Sequence, residues 1–294
     1  MAVHPFAPAD IEAALGRRYI VGPEIALGGQ GAVFKATRAS RPDGTAANDV
    51  VALKLYLYPS QDSRVQREIT AMENISHPTL PRLIEHRYCG VAGRPIRYVA
   101  WEFIDGQSLS DRLKSGPLLE FEVQPIGRGV SAAIAEIWSR RIVHGDVKPS
   151  NIMLSDSGAA VLIDLGAARD LEQDHTLAAR RPFGTVGYLS PEQAVGATLS
   201  CASDIFSLGV VMLQSLLGQH PTDYDQNALA DGIRASGRRL AVSTGLLGML
   251  DTMLSVRPTF RPSPAGLSAY FQKLQQTMEA ESAMGARPPQ KAQG

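Results

Sequence analysis

The segment HGDVKPSN, His144 to Asn151, gathers an aspartate, a lysine and an asparagine in one short stretch. Asp146 is a carboxylate that can accept the proton of a hydroxyl. Lys148 can neutralise charge on a transferring group, and Asn151 can offer an amide oxygen to a cation. Together with a glycine-rich stretch upstream, these residue types point to phosphoryl transfer from a nucleotide. A protein and a small alcohol are both possible acceptors.

Three more stretches bear on the same chemistry. In ALGGQGAVFKA, Ala26 to Ala36, residues Leu27, Gly28, Gly29, Gln30 and Gly31 form a loop without bulky side chains, whose N–H groups can approach phosphate oxygens. A glycine hairpin that binds nothing has the same composition. VALK, Val51 to Lys54, sets an ammonium among apolar residues, where burial demands an anion. Glu68 is a suitable partner, and the two can hold the α- and β-phosphates; a lysine snorkelling from a strand end is the plain alternative. VLIDLG, Val161 to Gly166, ends an apolar strand on Asp164, which can ligate magnesium, with Asn151 able to supply an amide oxygen to a second ion. Each aspartate alone is an ordinary turn residue, but the order and spacing of the four stretches point to one site.

The elements that must position these residues change character along the chain. Residues 1–18 read as a lead with a helical turn from Ile11 to Leu15. From 19 to 103 the pattern is mainly strands: Ala32 to Thr37, Val50 to Tyr56, His86 to Cys89, and Ile96 to Phe103 after the turn Gly93-Arg94-Pro95. Val65, Ile69, Met72 and Ile75 recur at the spacing of one helix face, so Arg64 to Ile75 is the single helix expected there. From 104 to 278 helices take over, with a stripe of Ile126, Val130, Ile134, Ile137 and Trp138, and a helix from Asp204 to Leu217 capped by Ser203 and ended by Gly218. Residues 279–294 gain proline and polar residues and are expected to be disordered.

The bulk numbers set bounds. A chain of 294 residues with 44% apolar content can build a sizeable core. Lys plus Arg equal Asp plus Glu at 29 each, so no global field favours nucleic acid or an anionic membrane, and neither is expected as a partner. Cys89 and Cys201 are the only cysteines and sit in no metal or redox motif. No apolar run approaches the ~18 residues that span a bilayer. A cytoplasmic location is therefore expected.

On these motifs the chain resembles the eukaryotic-like protein kinases over about Tyr19 to Gln276. The family patterns G-x-G-x-x-G-x-V, V-A-I-K, H-R-D-x-x-x-x-N, D-F-G and A-P-E stand here as A-L-G-G-Q-G-A-V, V-A-L-K, H-G-D-V-K-P-S-N, D-L-G and S-P-E. The resemblance implies an α+β, two-lobed fold, with a small antiparallel β lobe carrying one helix and a larger helical lobe. It implies ATP and magnesium in the cleft between them, Glu102 and Ile104 presenting backbone groups to adenine, Val33, Ala52 and Met153 packing on its faces, and Trp101 as the residue behind it. Met72, His144 and Leu165 resemble the internal stack linking helix to metal-binding loop, and Arg261 the partner of Glu192.

Small-molecule phosphotransferases of the aminoglycoside and choline kinase type also carry H-G-D, so Gly145 alone points their way. Lys148 stands where those enzymes have histidine, GTVGYLSPEQ resembles a segment that docks a protein substrate, and SDIFSLGVVML the helix that anchors it. Lys148 with Thr185 resembles the Ser/Thr-specific pattern. The reading adopted is a Ser/Thr protein kinase acting on protein hydroxyls, with a small-molecule kinase and a nucleotide-binding pseudokinase scaffold as alternatives. Thr176 is the one candidate phosphosite between Ala167 and Tyr188, since Thr185 is committed to Asp146 and Lys148.

Overall fold

A computed structural model describes residues 7–16, 18–28, 31–39, 49–56, 62–73, 75–91, 93–165, 168–170, 184–221 and 242–285, with backbone only at 28, 62–64, 67, 169–170 and 278–285. Five antiparallel strands form the first lobe in the order β1-β2-β3-β5-β4: β1 (Tyr19–Gly28), β2 (Gly31–Arg38), β3 (Val50–Tyr56), β4 (Leu83–Val91) and β5 (Arg94–Glu102). Strand alternation splits β3 between two cores. Val51, Leu53 and Leu55 join Phe34, Tyr98 and Ala100 on the outer face, which α1 (Pro8–Ala14) closes with Ile11 and neighbouring Leu15. Ala52, Lys54 and Tyr56 take the inner face, towards α2 (Asp62–Met72).

On α2, Val65, Ile69 and Met72 are buried as the periodicity requires, and Glu68 falls on the same stripe. A carboxylate on an apolar stripe needs a cation opposite, and β3 provides it. The core reached by this stripe continues through Val99 and Trp101 into the second lobe, joining Val130, Ile134, Leu208 and Leu250.

In that lobe β6 (Gly106–Ser108) leads to α3 (Leu109–Leu113) and α4 (Glu120–Trp138), followed by β7 (Ile142–Val143), β8 (Ile152–Ser155), β9 (Ala160–Leu162) and β10 (Arg169–Asp170). Helices α5 (Pro191–Ala194), α6 (Cys201–Leu217), α7 (Thr244–Met253) and α8 (Pro264–Gly285) complete it. Helix α6 is buried on all sides, which explains its nearly continuous apolar sequence.

Three expectations need correction. The cap of α6 is Ser200, whose Oγ accepts from Ala202 N at 3.2 Å; Ser203 is inside the first turn and accepts from Ser200 N at 3.4 Å, the reciprocal half of a capping box. Strand β5 begins at Arg94, and Pro95 already pairs with Gly90, so the turn is shorter than the Gly-Arg-Pro pattern suggested. The expected disorder from 279 is interrupted by α8, which is helical to Gly285; residues 286–294 lie outside the described residues.

Helices approach strands closely where glycine allows it. A Cβ on Gly129 of α4 would stand 2.4 Å from the Ala160 carbonyl oxygen on β9, whereas one on Gly248 of α7 meets nothing within 4 Å. Gly129→Ala is expected to destabilise by about 1–3 kcal/mol through overpacking, and exposed Gly248→Ala to stabilise by about 0.5–1 kcal/mol through helix propensity. Urea denaturation measures both; a Gly129→Ala midpoint at or above wild type would contradict the packing of α4 on β9.

Candidate active site

Lys54 is 8% exposed and Glu68 1%. Lys54 Nζ lies 3.2 and 3.3 Å from the Glu68 carboxylate oxygens and 2.9 Å from Asp164 Oδ1. Burial pulls the ammonium towards neutrality, but Glu68 and then Asp164 outweigh it and hold its pKa well above the ordinary value. The two lobes and the segment that follows β9 thus meet on one cation.

The stretch 144–151 follows β7 as a loop closing in a 3-10 turn, Pro149–Asn151. Asp204, in the first turn of α6, accepts from His144 N and Gly145 N, both at 2.8 Å. Burial pushes its carboxyl above the usual range against the pull of His144 and the two backbone donors. Gly145 has φ 75°, a left-handed conformation that costs a side-chain-bearing residue more than glycine. Its carbonyl accepts from Gln193 Nε2 at 3.1 Å, so helix starts on two sides fix the residue before Asp146. His144 Nδ1 accepts from Asp146 N at 3.3 Å, which assigns its proton to Nε2, 3.3 Å from the Ile163 carbonyl.

Asp146 is brought together with Thr185, Lys148 and Asn151, whereas Lys54, Glu68 and Asp164 form a second cluster. Thr185 Oγ1 donates to Asp146 Oδ1 at 2.7 Å, and Lys148 Nζ is 2.7 Å from Asp146 Oδ2 and 2.7 Å from Thr185 Oγ1. Asn151 Nδ2 donates to the Asp146 carbonyl at 2.9 Å and to Oδ2 at 3.3 Å. Asp164 has φ 64°, an uncommon conformation for a residue with a side chain and one found at functional sites.

The residues expected to meet the nucleotide come mainly from the sheet. Trp101, 8% exposed, pairs across the strands with Ala52 and shares the core with Met72 and Leu165, while His144 is buried below. Glu102 ends β5 and donates its N–H to the Arg82 carbonyl at 2.9 Å; Ile104 follows within the segment that leads to β6, whose Ser108 pairs with Met153. Leu27, Gly28, Gly31 and Val33 line the β1–β2 hairpin, with Gly28 opposite Gly31. Gly29, Gln30 and Gly166 lie outside the described residues.

The segment around Thr185 is braced from several directions. Ser190 and Gln193 form a capping box on α5, Tyr188 Oη donates to Gln214 Oε1 at 2.7 Å, and His220 Nε2 lies 2.7 Å from the Gly187 carbonyl, its ring edge-on to Tyr188. Arg261 grips Glu192 with two nitrogens at 2.6 and 2.9 Å. Burial opposes ionisation of Glu192, but the bonds from Arg261 and Ser203 outweigh it and hold the carboxyl below its usual range.

Asp204, Gln193, His220 and Tyr56 were not singled out from the sequence. Asp204 was visible only as the first residue of an expected helix and Gln193 only as the end of GTVGYLSPEQ, and the long separation from 144–151 hid their role. Tyr56 could have been found from the strand period, which places it on the face of Lys54.

The protein kinase domain family matches residues 19–276. This chain belongs to the protein kinase family. The chain is 31% identical over 211 residues to "Probable serine/threonine-protein kinase PknB" of Lactococcus lactis, a match that covers 71% of this chain and 33% of that relative. It is 30% identical over 256 residues to "Serine/threonine-protein kinase PknB" of Mycobacterium leprae, 84% of this chain and 41% of the relative. It is 30% identical over 265 residues to "Serine/threonine-protein kinase pkn2" of Myxococcus xanthus, 85% of this chain and 31% of the relative. The kinase thus spans less than half the length of these curated relatives. Among its described residues no helix is long and apolar enough to cross a membrane.

The Arg261 side chain is fully buried against Glu192, so removing either partner strands a charge. Arg261→Ala and Glu192→Ala are each expected to cost about 3–5 kcal/mol, and the double variant clearly less than their sum. Chemical denaturation of the four proteins measures this; additive losses would contradict a direct brace.

Proposed function

We propose that this kinase transfers the γ-phosphoryl group of ATP to serine or threonine hydroxyls of proteins. The observation that carries the proposal is the hydroxyl of Thr185 on Asp146 Oδ1, bridged to Lys148. A carboxylate that already accepts from an aliphatic alcohol at 2.7 Å suits the acceptor chemistry, and the segment presenting that alcohol is braced as a docking platform requires.

In this reading Asp146 takes the proton of the acceptor hydroxyl as its oxygen bonds to the γ-phosphorus and the bond to the leaving diphosphate breaks. Lys148 neutralises charge on the transferring group, and Lys54, held by Glu68, positions the α- and β-phosphates. Glu102 and Ile104 offer backbone groups to adenine, between Val33 and Ala52 on one side and Met153 on the other, with Trp101 behind. Residues Leu27 to Gly31 cover the phosphates.

Asp164 and Asn151 are the magnesium ligands of this proposal. The donor set fits: Asp164 Oδ1 already pairs with a cation, Lys54, and Asn151 turns its nitrogen to Asp146, leaving its oxygen for an ion. Two protein oxygens plus phosphate oxygens and water match the way magnesium is held at phosphoryl-transfer sites. When bound, the metal would neutralise the charge of the β- and γ-phosphates.

The compartment proposed is the cytoplasm. Cys89 and Cys201 are unpaired, and burial raises both thiols to about 11, so they are poor thiolates suited to a reducing setting. The proposed partner is a protein substrate, with neither nucleic acid nor membrane involved.

Asp146→Asn keeps the shape of the loop and removes the proton acceptor, so turnover on a protein substrate should fall by roughly 10²–10⁴. Phosphorylation of an aminoglycoside or choline but of no protein by the wild type would overturn the proposal. The Trp101 assignment has its own test. Trp101→Gly should admit ATP analogues carrying bulky N6 groups, at about 3–5 kcal/mol of stability from the cavity. Competition binding of such analogues measures it, and equal affinity for wild type and variant would contradict the placement of the indole behind adenine.

A further inference from the structure

Tyr56 stands two residues beyond Lys54 on β3 and faces the same way, since alternate strand residues share a side. Its hydroxyl donates to Glu68 Oε2 at 2.6 Å, closer than either contact of Lys54 Nζ with that carboxylate at 3.2 and 3.3 Å. Lys54 Nζ also lies 5.0 Å from the centroid of the Tyr56 ring. Both Tyr56 and Glu68 are buried, so neither polar group can exchange its partner for bulk water. Burial, and then Glu68, keep the phenol far above its usual pKa, which makes it a permanent donor.

Lys54 has more demands on it than one ammonium can meet at full strength. It contacts Glu68 and Asp164, and under the nucleotide-site reading above, on which this inference rests, it must also hold phosphates. A helix tied to the sheet by Lys54 alone would loosen as that ammonium turned to the nucleotide. Hydrogen bonds to an ionised acceptor are roughly twice as strong as neutral ones, and the one from Tyr56 comes from a residue with no other task in the site.

We propose that Tyr56 is a positioning residue for phosphoryl transfer: through Glu68 it holds α2 against the sheet while Lys54 serves the phosphates of ATP. The inward and outward placements of such a helix form a two-state element, and apparent nucleotide affinity scales with the fraction held inward. Tyr56 biases that equilibrium before any nucleotide arrives.

Tyr56→Phe removes the hydroxyl and keeps the ring in the core. The dissociation constant for ATP with magnesium should rise roughly 5- to 100-fold, given the strength of a hydrogen bond to a charged group. The KM for ATP should rise in step while kcat at saturating ATP stays within about three-fold. Amides 65–72 of α2 should exchange faster in the nucleotide-free protein, with those of α6 unchanged. In a Glu68→Met background, where the acceptor is gone, Tyr56→Phe should alter the ATP dissociation constant by less than about two-fold. Wild-type binding with a Tyr56→Phe constant within two-fold of it and unaltered α2 exchange overturns the positioning role alone. Loss of α6 protection in Tyr56→Phe also overturns it, since the hydroxyl would then serve the whole fold. Failure of the wild type to bind ATP with magnesium overturns the nucleotide site and this role with it.

Discussion

One buried ammonium decides how the two halves of this protein meet. Lys54 sits at the inner face of the sheet between Glu68 of α2 and Asp164 beyond β9. Neither Lys54 nor Glu68 could be buried alone without a penalty of several kcal/mol, and Asp164, only partly buried, adds a second anion to the ammonium. Lys54 and Glu68 therefore require each other, and the elements that carry them are held in register as a consequence. The apolar contacts around the cluster, from Met72 and Trp101 to Leu165, fill space that the charges have already located.

The second half of the site is held through its backbone groups, which bond to the side chains of Asp204 and Gln193. Asp204 takes the N–H groups of His144 and Gly145, and Gln193 takes the Gly145 carbonyl. Gly145 thus spends its donor and its acceptor on α6 and α5 in a left-handed conformation. A residue held this way sets the position of Asp146 without a side chain of its own.

Much of this was legible in the sequence because period and spacing report local geometry. The stripe Val65, Ile69, Met72 located α2, and the order of Lys54, Glu68, Asp146, Asn151 and Asp164 led to groups that the fold brings within hydrogen-bonding reach of one another in two linked clusters. What stayed hidden depends on contacts between distant segments. Asp204 is sixty positions from His144, and nothing in either local pattern announces the bond. Ser203 was expected to cap α6 because serine before an apolar run fits that role, yet Ser200 begins the helix and Ser203 completes the box. The reach of α8 to Gly285 was missed because polar composition lowers helical periodicity without forbidding helix.

Under the proposed function, the mutual bonds of Asp146, Lys148 and Thr185 lead us to expect activity without modification of the segment between Ala167 and Tyr188. Thr176 lies outside the described residues; the described bonds among Asp146, Lys148 and Thr185 are made by these three side chains to one another. The most direct measurement is the initial rate of phosphate transfer to a protein substrate by phosphatase-treated wild type and by Thr176→Ala. Rates within a few-fold of untreated enzyme, with no lag, are expected from an already assembled site. A loss as deep as that of Asp146→Asn would contradict it.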